Sequence, residues 1–295
     1  MASKKNIAIV GIGRWGKNLL REFKKIADVG HIYHRGDTEN SKWLKKNYPD
    51  IRPTSSFSEL LADSSIEAIA IATPIKTHYE LAKKALLAGK HVFVEKPITD
   101  TVGQAQELVR LAAKRKLVLF VGHIFLYHPV LARIKLIACR ESIKNALFFW
   151  NKLGTFNEEL VYNLLSHDVA TALDLFGKPT RVKTLENTGM VTDSDIISVR
   201  LDFRDNRHCM IHINRVSNLN NKTMTLATTK NIYLWENNRL AKLDKKAGTF
   251  KLIYESARTP LETECAEFID CVQKNKKPHT SGEFGVEVIK ALAKI

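Results

Sequence analysis

The chain has 295 residues, 44% of them hydrophobic and 26% charged, which is typical of a globular protein of about two domains. No apolar run approaches the ~18 residues needed to cross a bilayer, and the N-terminal Met-Ala-Ser-Lys-Lys leaves no room for a signal peptide, so a cytoplasmic protein is expected. The net charge of +15 is compatible with nucleic acid or with an anionic small substrate, but the lysines are scattered in pairs, which argues against a nucleic-acid-binding surface.

Residues 6–122 alternate short apolar runs with helical stretches. The runs are rich in β-branched and aromatic residues, as in strands that are buried on both faces of a parallel sheet. Capping-box patterns at Ser56–Glu59 and Thr77–Glu80 predict helix starts, and Gly89 predicts a left-handed helix end. The alternation predicts a doubly wound α/β sheet. The predicted strands are Asn6–Val10, Gly30–His34, Ala68–Ala72, His91–Val94 and Leu117–Val121.

A glycine-rich loop follows the first predicted strand and precedes a helix. Gly11 permits a tight turn, Gly13 lets a pyrophosphate approach the backbone, and Gly16 allows close helix packing. The helix N-terminus offers free N–H groups to phosphate. The loop therefore predicts a dinucleotide site. Arg14 and Trp15 lie within it and either cover the dinucleotide or simply pack.

The residues after the second predicted strand bear on the choice between NAD and NADP. Asp37 lies near the position from which an acidic side chain binds the ribose 2′-hydroxyl. His34 and Arg35 instead suit a 2′-phosphate, because a guanidinium can bind phosphate oxygens with two N–H groups. The pattern leans slightly towards NADP, and the alternative is that His34 and Arg35 are merely solvated.

The pattern changes after Gly122. Helices are predicted over Val130–Cys139 and over residues 157–176, and Pro260 and Gly282 stand near the starts of two C-terminal helices. Consecutive strands with short polar turns between them indicate an antiparallel sheet. These strands are Ile196–Phe203, Cys209–Asn214, Thr223–Thr228, Ile232–Trp235 and Phe250–Ile253.

The four cysteines form no Cys-x-x-Cys pair, so neither a metal site nor a redox site is expected from them. Reduced, structural cysteines are the simplest interpretation. They are Cys139, Cys209, Cys265 and Cys271.

Several motifs occur in an order that resembles the glucose-fructose oxidoreductase / inositol dehydrogenase / rhizopine catabolism (Gfo/Idh/MocA) family. The resemblance covers nearly the whole chain, and the stretch from Gly122 to Pro129 is most similar to members that act on sugar nucleotides. The motifs are Gly11–Gly16, Ala72-Thr73-Pro74 with His78, Ala88–Val92, Glu95-Lys96-Pro97, Asn163-x-x-x-His167-Asp168 and Thr280–Glu283.

The resemblance implies two domains and an enzyme activity. A Rossmann domain over residues 1–122 precedes an α+β domain over 123–295 with a large, mostly antiparallel open sheet; the helices at about 260–295 are free to pack back on the first domain. The implied activity is oxidation or reduction of a hydroxyl or ketone on a sugar, sugar nucleotide or cyclitol with NAD(P). Many members are dimers or tetramers. Cofactor contacts are implied for Thr73, Pro74, His78, Glu95 and Lys96.

Hydride transfer from a secondary alcohol needs a base for the hydroxyl proton, and the reverse reaction needs an acid. Lys96, placed at a strand end by Pro97, suits either role if burial or positive charge brings its pKa towards neutrality. Asn163 and His167 share one helix face, and His167 could bind the reacting oxygen or exchange its proton. The family often has aspartate where this chain has Asn163, and an amide cannot take a proton. Lys96 and His167 are therefore the expected proton-handling pair.

Weaker candidates lie near the carboxyl end of the sheet, where ligands bind. His123 and Tyr127 are candidate substrate contacts, although Tyr127 could equally be a core residue. His78 is expected either to lie near the nicotinamide, close to the loop after Pro74, or to serve only as a structural capping residue. A dinucleotide-binding regulatory protein without turnover is the alternative function, since fold does not guarantee activity. The expected partners are a small sugar or cyclitol substrate, anionic or nucleotide-linked, and further copies of the chain.

Overall fold

The computed structural model describes residues 6–34, 36 and 39–295, and the chain divides into two compact units. The first comprises Met1–His123 and Leu261–Ile289, and the second comprises Ile124–Pro260 and Lys290–Ile295. Arg35 and Asp37, on which part of the NAD-or-NADP argument rests, lie outside the described residues.

The first unit contains a six-stranded parallel sheet with the order β3-β2-β1-β4-β5-β6. This is the strand order of a Rossmann fold, in which the direction of strand addition reverses between β1 and β4. The strands are β1 Asn6–Val10, β2 Asp28–Tyr33, β3 Arg52–Thr54, β4 Ala68–Ile71, β5 His91–Glu95 and β6 Leu119–Gly122. The connecting helices are α1 Arg14–Ile26, α2 Glu39–Asn47, α3 Phe57–Ala62, α4 His78–Leu87 and α5 Val102–Arg115.

The second unit is built on an eight-stranded sheet with the order β14-β13-β12-β11-β7-β10-β9-β8. Only β7 and β10 pair in parallel; the other neighbours are antiparallel. Its helices are α6 Pro129–Ala138 and α7 Ser166–Phe176. The strands are β7 Ile143–Leu153, β8 Arg181–Thr188, β9 Ile196–Asp202, β10 His208–Asn214, β11 Val216–Thr228, β12 Ile232–Glu236, β13 Arg239–Asp244 and β14 Thr249–Glu255.

Two C-terminal helices, α8 Pro260–Lys274 and α9 Gly282–Leu292, follow the second sheet. Phe268 of α8 packs in the first unit, where its ring lies 5.6 Å from the rings of Phe93 and Phe120. Phe23 of α1 completes this core and lies 5.8 Å from Phe93. Aromatic rings in edge and stacked arrangements of this kind fix α1 and α8 against the sheet.

The predicted fold class is confirmed, with one parallel sheet and one large, mostly antiparallel sheet. Strands β3, β7, β8 and β13 were missing from the sequence interpretation. β3 has only three residues, and β8 is mostly exposed, so neither shows a clear apolar period.

Local predictions were confirmed at some helix ends and wrong at others. The Ser56 hydroxyl accepts the Glu59 N–H, and Gly89 has the expected positive φ of 77°. Thr77 does not cap α4, because its hydroxyl donates to Thr73 Oγ1 and to the Pro74 carbonyl. The helix predicted over residues 157–176 begins instead with a π-helical turn over Val161–Leu165 and continues as α7.

None of the helices in the described residues combines the length and apolar composition needed to span a bilayer.

Candidate functional site

The glycine loop between β1 and α1 has three distinct environments. Gly11 has φ of 94°, and a Cβ there would lie 2.6 Å from the Ala72 carbonyl oxygen. A Cβ on Gly16 would lie 2.1 Å from the Gly11 carbonyl oxygen. A Cβ on Gly13 would meet nothing within 4 Å, so its backbone faces open space. Gly11 and Gly16 are therefore required by the fold, whereas Gly13 leaves room for a ligand.

A cleft of about 340 Å³ opens beside this loop at the point where the strand order reverses. Open α/β sheets bind ligands at this point. The first turn of α1 contains no acidic residue, and its N-cap residue, Gly13, supplies no side-chain cap, so the N–H groups of this turn remain available to an anion. These features fit a dinucleotide. Among the predicted cofactor residues, the cleft is lined by Gly11, Gly13, His34, Thr73 and Pro74.

Trp15 connects the glycine loop to the end of β5. Its indole N–H donates to Glu95 Oε1, and the Lys96 backbone N–H donates to Glu95 Oε2 over 3.2 Å. Burial raises the pKa of Glu95 to about 8, although Lys96 and Trp15 oppose the shift. The indole nitrogen of Trp15 is thus committed to Glu95, while the Arg14 side chain next to it is exposed.

Lys96 is half-buried and directly follows β5, whose last residue pairs with Gly122 of β6. A cis peptide joins Lys96 to Pro97. The positive charge of Lys96 contributes to lowering the pKa of both His78 and His123. Lys96 is therefore the cationic centre of a group of titratable side chains at the carboxyl ends of β4, β5 and β6.

His78 braces two of these strand ends. It is 1% exposed, and its ring nitrogens lie 2.8 Å from the Thr73 carbonyl oxygen and 2.9 Å from the Pro97 carbonyl oxygen. Burial lowers the pKa of His78, and the two carbonyls only partly offset this shift. Since both ring nitrogens face backbone oxygens, His78 ties together the loops after β4 and β5.

His123 is buried at the end of β6, and its ring packs edge-on against Phe284 at 5.6 Å. Burial, with a contribution from Lys96, lowers the pKa of His123 to about 3, so the ring is neutral at physiological pH. Neither ring nitrogen has a hydrogen-bond partner within the described part of the chain. The ring therefore keeps one donor and one acceptor available near Lys96.

Glu264 of α8 was not among the site residues predicted from the sequence. It is fully buried, and neither carboxylate oxygen has a hydrogen-bond partner among residues 6–34, 36 and 39–295. Burial raises the pKa of Glu264 well above its ordinary value, and repulsion from Glu95 adds to the shift. The sequence of an amphipathic helix does not show that one of its acidic residues is buried. The spacing of apolar residues in α8 predicts a helix, but it does not identify the elements that pack against each face of that helix.

In the second unit, the π-helical turn carries Asn163, and α7 carries His167. Both side chains are half-buried. The His167 ring packs edge-on against Phe125 at 4.9 Å and lies 5.9 Å from Trp150. π-helical turns often occur at functional sites. Tyr127, the other candidate on this unit, is only 9% exposed and ends a 3₁₀ turn over Ile124–Tyr127.

A buried ion pair adjoins His167. Lys222 Nζ lies 2.7 Å from Asp168 Oδ1, 3.6 Å from the ring centroid of Trp150 and 3.9 Å from that of Phe125. Burial raises the pKa of Asp168 and lowers that of Lys222, and each partner opposes the shift of the other. The two aromatic faces also favour the charged ammonium. The sequence interpretation included Asp168 only as the last residue of the Asn163-x-x-x-His167-Asp168 motif, and it missed Lys222.

No cluster of His, Cys, Asp and Glu side chains suited to a metal ion occurs in the described part of the chain.

Residues 5–123 match the family model GFO_IDH_MocA, described as an oxidoreductase family with an NAD-binding Rossmann fold. An uncharacterized oxidoreductase of Schizosaccharomyces pombe is 33% identical over 174 residues, which cover 52% of this chain and 46% of the relative. The chain thus spans about half the length of this curated relative.

Other relatives are named for a specific activity. The UDP-N-acetylglucosamine 3-dehydrogenase of Acidithiobacillus ferrooxidans is 21% identical over 313 residues, covering 97% of this chain and 95% of the relative. Its solved structure matches with a TM-score of 0.91 over 100% of this chain and 97% of that chain. The NADP-dependent scyllo-inositol 2-dehydrogenase of Bacillus subtilis is 27% identical over 159 residues, covering 49% of this chain and 44% of the relative. At 21% identity, the structural match establishes the fold.

Proposed function

We propose that the chain is an NAD(P)-dependent dehydrogenase or reductase of the Gfo/Idh/MocA oxidoreductase family, whose model matches residues 5–123. It transfers a hydride between the nicotinamide and a secondary alcohol or ketone of a sugar, sugar nucleotide or cyclitol. The cleft beside Gly13 is the observation that carries this proposal, since it joins an open glycine loop to a helix N-terminus at the strand-order reversal.

The residues around the cleft have different roles in binding the cofactor. Gly11 and Gly16 shape the loop, Gly13 admits the pyrophosphate, and Thr73 and Pro74 border the cleft on the β4 side. Glu95 holds the Trp15 indole, so it links the cofactor loop to Lys96. When bound, the nicotinamide accepts or supplies the hydride.

Lys96 and His167 handle the proton of the reacting hydroxyl. Lys96 can take or give that proton from its half-buried amine, and the neutral His123 offers a ring N–H or a lone pair to a substrate oxygen. Asn163 hydrogen-bonds a hydroxyl without exchanging a proton, and Tyr127 completes the substrate contacts. Each of these roles follows from side-chain chemistry and position within its own unit.

The substrate class we favour is a sugar nucleotide. The similarity to a UDP-N-acetylglucosamine dehydrogenase runs along nearly the full chain, whereas that to an inositol dehydrogenase covers about half. The net charge of +15 also suits an anionic substrate.

For the cofactor we favour NADP over NAD. His34 lines the cleft at the end of β2, close in sequence to the position that discriminates the ribose 2′-substituent. A histidine there can donate to a 2′-phosphate, and the described part of this cleft lining contains no carboxylate that would bind a 2′-hydroxyl.

The first experiment is a titration of the purified protein with NADH and NADPH, followed by turnover at 340 nm with UDP-N-acetylglucosamine and scyllo-inositol. Tight binding of either nucleotide supports the cleft assignment, and the ratio of the two Kd values decides the cofactor preference. Binding of neither would contradict the proposal.

A Lys96→Ala variant then separates an enzyme from a dinucleotide-binding regulator. We expect kcat to fall about 10²–10⁴-fold, the usual contribution of a positioned acid or base, with nucleotide Kd unchanged. Lys76→Ala, an exposed lysine of the same unit, is the matched control and should retain full activity. A turnover that survives Lys96→Ala would remove the lysine from the mechanism.

A further inference from the structure

The ion pair between Lys222 and Asp168 occupies an unusual position. Asp168 is 2% exposed, and the Nζ atom of Lys222 is buried although 24% of its side chain is exposed. Removing two charges from water is expensive, and a well-packed apolar pair is often at least as stable as a buried ion pair. Stability alone therefore does not account for an ion pair at this place.

Three separate segments converge on the Lys222 ammonium. Lys222 of β11 is the cross-strand partner of Trp150 of β7, Asp168 comes from α7, and Phe125 comes from the turn before α6. The ammonium touches both ring faces at close range and is held in place by the Asp168 carboxylate. A cation over the faces of two aromatic rings attracts both, so it favours the ring orientations that keep these contacts.

The same two rings form the surroundings of His167. Phe125 meets the imidazole edge-on, and Trp150 lies tilted beside it. His167 and Asp168 are neighbours on α7, so one helical turn supplies both the imidazole and the carboxylate that anchors the cation. The orientation of His167 consequently depends on rings whose own orientation depends on Lys222.

We propose that Lys222, anchored by Asp168, is a positioning residue that fixes Trp150 and Phe125 and through them the ring of His167. The consequence for turnover rests on the proposed function, in which His167 handles a proton. The positioning itself concerns the second unit alone and can be measured without turnover.

The test uses the full chain with Lys222→Met, Asp168→Asn and the double variant. Each single variant leaves one buried charge without its partner and should lower the unfolding midpoint, whereas the double variant should recover most of the stability. The matched control is Lys251→Met with Asp244→Asn. That pair has the same 2.7 Å separation, but the Lys251 side chain is 68% exposed.

The decisive readout is the NMR spectrum of His167 in protein with labelled histidine, assigned by its loss in His167→Asn. Rings held at 4.9 and 5.9 Å shift the imidazole protons by their ring currents. In the stable double variant we expect these shifts to move towards those of an unstacked histidine, and kcat to fall by about tenfold or more, because small misplacements are costly to catalysis. Lys222→Arg keeps the cation and should restore both partly.

The outcomes separate the two proposals. If the double variant regains stability and also keeps wild-type His167 shifts and kcat, the ion pair is only structural and the positioning proposal is overturned. If the wild-type protein binds neither NADH nor NADPH, the proposed function fails while the NMR shifts still decide the positioning. If the methionine double variant does not fold, the double variant Lys222→Gln with Asp168→Asn takes its place. It replaces the ion pair by two amides, and the same stability, NMR and kcat measurements apply to it.

Discussion

At the scale of single residues, the end of β5 concentrates buried ionisable groups. Glu95 receives two N–H donors, from Trp15 and from the Lys96 backbone, whereas Glu264 receives none from the described residues. Of these two carboxyls, Glu95 is therefore the one that ionises more readily, but burial raises the pKa of Glu95 to about 8, so both keep a proton at neutral pH for most of the time. Perturbed ionisable groups gather at functional sites because function tolerates their unfavourable burial.

Glu264→Met should stabilise the protein. The pKa of Glu264 lies above its ordinary value of 4.5, so the folded state keeps a proton that the unfolded state loses, and this carboxyl lowers stability as the pH rises above 4.5. An unpartnered buried polar group costs about 1–3 kcal/mol, and we expect a gain of that order at pH 8. Urea unfolding measures it. Glu262→Gln, at an exposed position of α8, should change stability by less than about 0.5 kcal/mol.

His123 should contribute to acid instability. The folded-state pKa of about 3 lies below the ordinary 6.5, so the unfolded state gains a proton first and stability falls as the pH drops below 6.5. The contribution is about 1.4 kcal/mol per pH unit between those values. We would measure the unfolding free energy of the wild type and of His123→Leu from pH 7 to pH 4.5. The difference between the two proteins gives the contribution of His123, because the opposite effect of Glu95 and Glu264 is present in both and cancels. A difference independent of pH would refute the assignment.

At the scale of elements, the β1–loop–α1 unit shows how three glycines serve two purposes. Gly11 and Gly16 are needed because backbone atoms approach within the space of a Cβ. Gly13 has an ordinary φ of −69° and no close neighbour, so folding does not require glycine there. The position is explained by a ligand that must approach the backbone.

Gly13→Ala and Gly16→Ala should therefore behave differently. We expect Gly13→Ala to keep wild-type stability within about 0.5 kcal/mol and to weaken dinucleotide binding by about tenfold or more, since its Cβ occupies the approach to the loop. Gly16→Ala should unfold at lower temperature, because its Cβ would lie 2.1 Å from a carbonyl oxygen. Thermal unfolding and fluorescence titration together distinguish the two, and normal binding by Gly13→Ala would place the ligand elsewhere.

At the scale of the whole molecule, the eight-stranded sheet leaves one face partly uncovered. The strands β9 and β10 alternate buried and half-buried residues, and on β7 the side chains of Leu147 and Phe149 are 36% and 43% exposed. Exposed leucine and phenylalanine side chains side by side on one sheet face are suited to an interface. A second copy of the chain is the partner we propose for this face.

Phe149→Glu should dissociate such an oligomer, because a buried, unpaired carboxylate at the interface opposes association. Sedimentation velocity should show the wild type as a dimer or tetramer and the variant as a smaller species. Leu136→Glu on α6, where the leucine is 60% exposed, is the control and should leave the mass unchanged. A wild type that sediments as a monomer at micromolar concentration would contradict the proposal.

The roles proposed for Lys96 and His167 come from the ordered motifs of the family resemblance. The sequence by itself determined five of the six strands of the first sheet and the glycine loop. These rest on local rules, because apolar period, turn chemistry and helix starts are written in neighbouring residues. Strand β7 was missed because buried and exposed residues stop alternating after Phe149. The π-helical turn was missed because its sequence does not differ from that of an ordinary helix.

Only the tertiary structure decided which polar residues are buried and what they face. Glu264 and Glu95 lie far apart in the sequence, as do Lys222, Asp168 and Phe125, and each group meets through elements that are remote along the chain. The burial of a charge, and the pKa that follows from it, depends on every segment packed around it. That information belongs to the assembled core, so no local pattern in the chain contains it.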